Sequence, residues 1–145
     1  MVKIRLGILS GFLSGVVIGF FLKIVQFLTN IEVYTLLLNM DFIYSKPLNE
    51  PIEFSLHILV SIFIGVLFTN LSQKVTGKKS ESQFILSLGL TLLPILLYFP
   101  LTFFAVKQTP ELTNGQALFW WTMGHLVYAV VLPLPQLLYN KKNNT

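Results

Sequence analysis

The chain has 145 residues, 54% of them apolar and only 11% charged, with a formal net charge of +4 and no cysteine. A soluble domain carries roughly a quarter of its residues charged, so this composition excludes a water-soluble globule. The missing cysteines exclude disulfides, thiolate metal sites, cysteine nucleophiles and lipobox acylation. The basic residues flank apolar segments instead of lining one face, which excludes a nucleic-acid surface and reports orientation in a membrane.

Lys3 and Arg5 precede an uncharged run over residues 6–22 in which Gly7, Gly11, Gly15 and Gly19 recur every fourth position, with Ser10 and Ser14 between them. In water each interior glycine costs roughly 1 kcal/mol of helix stability against alanine. In lipid no water competes for the backbone, and a flat small-residue face lets a neighbouring helix approach closely. No small-residue cleavage site follows the run, so it reads as a retained first span over about 4–28, with the glycines as its packing face.

Residues 29–52 form the longest connection. Their middle, IEVYTLLLNMDFIY, is too apolar for a solvated loop and too short to span a bilayer, so an interfacial or re-entrant segment is expected. The second span covers about 53–71. A lysine-rich turn leads to the third, about 84–106, where Pro94 and Pro100 predict kinks whose freed carbonyls neighbours must satisfy. After a short polar loop the fourth span runs over about 116–139, with Trp120 and Trp121 placed for a membrane interface. A polar tail closes the chain.

The pattern predicts an all-α, polytopic membrane protein: one membrane domain over 1–145, four transmembrane helices in a bundle. LGILSGFLSG and FILSLGLTLL each open a span, and each is followed by a return span bearing a histidine, HILV and HLVY, which suggests two repeated hairpins. Four spans put both termini on one side. Lys3, Arg5, Lys74, Lys78, Lys79, Lys141 and Lys142 share that side with Glu81 alone, whereas Lys23, Lys46 and Lys107 face Glu32, Asp41, Glu50, Glu53 and Glu111. The positive-inside rule then puts both termini in the cytoplasm.

Ionisable groups inside a membrane are costly and ask for a reason. Lys23, His57 and His125 fall about 6 to 13 Å below the outer boundary at 1.5 Å per residue, all in one leaflet. Glu53 lies one turn above His57 on the same face, where it could pair with His57 or Lys23. Tyr128 and Tyr98 could add hydroxyls. The expectation is an outward-open polar pocket whose histidines titrate near neutrality, suiting proton-linked transport or pH sensing. The plainer reading makes Lys23 a snorkelling side chain, the histidines interhelical hydrogen bonds and Glu53 a solvated rim residue.

The glycine ladder followed by Lys23, the histidine opening HILVSIFIGVLF and the segment GHLVYAVVL together resemble the YagU-like and YqhR-like small inner-membrane proteins of bacteria. The resemblance implies a four-helix inner-membrane protein that is not an enzyme, and supplies no substrate. With no Walker sequence, no nucleophile elbow and no zinc motif, the chain is expected to need no cofactor or metal. It reads as a small transporter, channel or pH-responsive unit of the cell membrane. The alternative is a structural or assembly partner of another membrane protein. The lipid bilayer, a second copy or such a partner is the company expected, and nucleic acid is not.

Overall fold

The computed structural model describes residues 2–41, 43–44, 46, 48–75 and 80–142. Lys78 and Lys79 of the basic count, Pro47 of the long connection and the last three residues of the tail lie outside these. Among the described residues seven helices follow in order: α1 (Val2–Thr29), α2 (Val33–Leu37), α3 (Glu50–Val75), α4 (Ser80–Leu96), α5 (Tyr98–Phe103), α6 (Gly115–Val131) and α7 (Leu134–Lys142). No strand occurs among the described residues. α4 with α5 forms one nearly continuous rod, as does α6 with α7. Four rods, Lys3–Thr29, Glu50–Lys74, Ser80–Phe103 and Gly115–Lys142, are therefore long and apolar enough to cross a membrane. This is the build of a multi-pass membrane protein.

The distribution of side chains agrees with that build. Ser10, Ser14, Ser61, Thr69, Ser72, Gln83, Ser87, Thr91 and Gln136 are buried inside the bundle, while Phe20, Phe27, Phe63, Ile85 and Leu93 stand at least 60% exposed on its outside. A water-soluble bundle would reverse this arrangement.

α1 is the central strut, packed against α3 on one side and α6 on the other, and α6 in turn packs against α4. Contact between α1 and α3 is backbone to backbone. A Cβ added at Gly7 would lie 2.6 Å from the Val66 Cα, one at Gly11 would lie 2.5 Å from the Ile62 Cα, and one at Gly65 would meet Gly7 and Gly11 backbone atoms. The ladder thus works as a packing face within the chain, with Gly65 of α3 as its counterpart. Gly19 differs, since a Cβ there meets only the edge of the Phe54 ring, 2.5 Å away.

Helix ends follow the local sequence. Asn30, with φ of 57°, closes α1 in the left-handed conformation that asparagine tolerates, and its N–H donates to the Gln26 carbonyl at 2.9 Å. Asn49 Oδ1 accepts from the Ile52 N–H at the start of α3, and Asn114 Oδ1 accepts from the Ala117 N–H at the start of α6. The third rod turns at Leu97 between two prolines. Trp121 answers that break: its indole N–H points at the Pro94 and Ile95 carbonyls, 3.3 and 3.1 Å away. Trp121 is accordingly buried, at 2% exposure, and not at a lipid interface as its position suggested. The freed carbonyls explain why. The fourth rod is interrupted at Leu132 and Pro133, before α7.

The long connection also departs from expectation. Val33, Leu36, Leu37 and Leu38 are buried against the bundle, not laid along a membrane surface. One side chain holds the segment in place. Gln26 Oε1 accepts from the Tyr34 and Thr35 N–H groups, both at 2.9 Å, and its Nε2 donates to Glu32 and to the Thr35 hydroxyl. Gln26 therefore satisfies orphan donors of a helix too short to be stable alone. Further along, Asn39 Nδ2 donates to the Leu101 carbonyl at 2.8 Å, and Asp41 accepts from the Val106 and Lys107 N–H groups at 2.8 and 2.9 Å. Residues 31–41 form a cap over the end of the bundle opposite the termini, hereafter the loop end.

Gln26→Leu is expected to cost about 2 kcal/mol, the worth of two lost acceptor bonds to backbone amides. Amide hydrogen exchange should rise selectively at Tyr34 and Thr35. Unchanged protection there would show that the apolar face alone holds α2.

Candidate functional site

The polar residues of α3 recur every fourth position on one face: Glu53, His57, Ser61, then Gly65 and Thr69. That spacing turns them toward α1 and α6. Each upper member of the stripe finds its partner on a different segment. Glu53, 7% exposed, pairs with Lys107 from the loop before α6. His57 Nε2–H donates to the Gly15 carbonyl at 3.3 Å. Ser61 donates to the Gly11 carbonyl at 2.6 Å and lies 3.2 Å from the Tyr128 hydroxyl of α6. Glycine makes these bonds reachable, because without side chains the α1 carbonyls come within range of α3. Below them, Thr69 returns its hydroxyl to the Gly65 carbonyl, while Ser72 and Gln136 bond each other at the terminal end.

The expected cluster of Lys23, Glu53, His57, His125, Tyr128 and Tyr98 is therefore split. Glu53, His57 and Tyr128 lie along the α3 stripe. Lys23 does not reach Glu53; its ammonium runs up to Glu50, 2.5 Å away, since a long aliphatic stem lets the charge climb toward the membrane surface. Glu53 is not a solvated rim residue, because Lys107 folds down onto it. His125 Nδ1–H donates to the Trp121 carbonyl of its own helix at 2.8 Å, with its ring 4.4 Å from the indole. No hydrogen bond joins the two imidazoles, each of which is bonded to a backbone carbonyl. Tyr98 stands apart, its hydroxyl donating to the Glu111 carbonyl at 3.0 Å and so tying down the loop before α6.

Compared with protein-family models, with curated proteins and with solved structures, the chain matches none. The functional reading therefore rests on these residues.

Two features of the loop end complete the site. A pocket of about 190 Å³ lies beside Lys23, Tyr34 and Glu50, above Gly19 and Phe54. The Tyr34 hydroxyl donates to the same Glu50 oxygen as Lys23, at 2.9 Å, and the Lys23 ammonium lies 5.2 Å from the centre of the Tyr34 ring. Burial, and next the bond to Glu50, push the Tyr34 phenol above its usual range, so it remains a donor at physiological pH. A larger cleft of about 380 Å³ between the end of α1 and the start of α6 carries no ionisable side chain among its lining residues.

Glu50, Lys107, Ser61 and Gln26 were the residues that sequence reasoning passed over. Ser61 could have been found by extending the four-residue step from Glu53 and His57. Nothing local marks Lys107 or Gln26, whose roles depend on which segments meet in space.

Proposed function

We propose that this chain is a small, non-enzymatic, proton-responsive transport unit of a bacterial cytoplasmic membrane, with both termini cytoplasmic and the α3 stripe as its working element. The observation that carries the reading is the line Glu53, His57, Ser61 and Tyr128. Four polar side chains are kept inside an apolar bundle, where each would be costly without a task. Histidine is the member of this set that can take up and release a proton. On this reading the Glu53–Lys107 pair and the cap over residues 31–41 are the closure at the loop end of this line.

Opening would part Lys107 from Glu53 and expose His57 to the outer solution. Protein reconstituted in liposomes under an acid-outside gradient is expected to conduct protons, and His57→Gln to fall to the empty-liposome baseline. Normal folding with undiminished flux in His57→Gln and His125→Gln would remove the reading.

A specific observation favours a second one. Both imidazoles donate to backbone carbonyls, the work of interhelical and intrahelical fasteners. On that reading the protein is an assembly partner of another membrane protein. Wild-type liposomes no more conductive than empty ones, with a stoichiometric partner on purification, would select it.

A further inference from the structure

The pocket beside Lys23 has a chemistry that the transport reading does not use. Its upper edge holds one cation and one anion side by side, Lys23 and Glu50, with side chains 55% and 54% exposed. One Glu50 oxygen takes both Lys23 and Tyr34; among the described residues the other oxygen, Oε2, has no protein partner, and the lysine has N–H groups to spare. The floor is apolar. Gly19 lies one turn below Lys23 on α1, and Phe54 one turn below Glu50 on α3, while the exposed Phe20 continues the surface toward lipid. A polar mouth at the membrane surface over an apolar groove one turn deeper is the profile of a lipid, not of a soluble metabolite.

We infer that this pocket seats a zwitterionic phospholipid bearing a primary ammonium, its phosphate on Lys23, its ammonium on Glu50 Oε2 and its upper acyl chain along Gly19, Phe20 and Phe54. Charge decides the headgroup. A lipid with only a phosphate satisfies Lys23 but is repelled by Glu50. A quaternary ammonium balances the charge yet has no N–H to give the carboxylate, and charge-assisted hydrogen bonds are the stronger kind. The ethanolamine type meets both groups at once. The inference is independent of proton transport, since neither His57 nor the α3 stripe takes part.

The test uses the full-length protein, delipidated in detergent and titrated by native mass spectrometry with phosphatidylethanolamine, phosphatidylcholine and phosphatidylglycerol of identical chains. Ethanolamine lipid is expected to bind about fivefold more tightly than either, the factor one exposed charge pair can supply. Glu50→Gln should lower that preference and raise the affinity for phosphatidylglycerol, whereas Lys23→Met should weaken all three and leave phosphatidylglycerol the weakest, since Glu50 still repels it. Equal affinities in the wild type, a preference for phosphatidylglycerol, or an ethanolamine preference surviving Glu50→Gln undiminished would overturn the assignment. The wild-type comparison needs no variant, so a misfolded substitution leaves the proposal open to refutation.

Discussion

Gly65→Val is expected to separate α1 from α3 and to cost about 3 kcal/mol, the upper range for overpacking, because the obstacle is backbone. A Cβ at Gly65 meets the Gly7 carbonyl oxygen and the Gly11 amide nitrogen, and would lie 2.7 Å from the Gly11 Cα. None of these can rotate aside. The other glycines should then fall into a series. Gly15→Ala meets the Ser61 side chain at 2.7 and 2.8 Å and disturbs its bond to Gly11, an intermediate loss. Gly19→Ala meets only the Phe54 ring edge, which can swing, for about 1 kcal/mol. Gly89 has nothing within 4 Å, so Gly89→Ala should gain about 0.5–1 kcal/mol from lower unfolded-chain entropy. Reversible unfolding in mixed detergent–dodecyl sulfate micelles measures the series. A Gly65→Val protein as stable as wild type would refute backbone contact as the bond between these helices.

Lys107→Met is the second large effect expected, about 3 kcal/mol, the lower end for breaking a buried pair. The magnitude follows from burial. Glu53 keeps 9% of its side-chain exposure and Lys107 23%, so removing the lysine strands a carboxylate with little access to water. Glu53→Gln with Lys107→Met should recover most of the loss, since an uncharged pair strands nothing. The Lys23–Glu50 pair is the contrast. Both partners are more than half exposed, and such pairs are worth about 0–1 kcal/mol. A double-mutant cycle at each pair checks the ranking. If the double substitution at Glu53 and Lys107 is no more stable than Lys107→Met, the pair is not what holds this corner.

The four rods were legible because lipid imposes a pattern that local sequence alone can express: long apolar runs, with charge confined to their ends. Glycine at every fourth position announced a close approach, though not that its counterpart would be Gly65. The two halves of the chain each fold as a helical hairpin, but the devices within them differ. His57 bonds across to α1, whereas His125 bonds within its own helix, and it is Ser87 that crosses from α4 to the Ala129 carbonyl. Equivalent letters therefore do different jobs. The charged partners were illegible for another reason. Lys23 had Glu50 and Glu53 within reach on one helix face, and spacing cannot choose between neighbours a turn apart. Depth chose, with the ammonium climbing to the surface. The connection over 29–52 looked interfacial because its apolar residues had no visible partner; α1 supplies one when the chain folds back on it, and α5 and α6 add theirs only once the third and fourth rods are in place.

The cap has a consequence for biosynthesis. Its fastenings to Leu101, Val106 and Lys107 join positions 62 to 66 residues apart, and Glu53 awaits a lysine 54 residues downstream. A nascent chain leaving the ribosome must therefore carry its second rod into the bilayer with an acid not yet neutralised. That hairpin must endure on its glycine seam until the later half arrives to seal it.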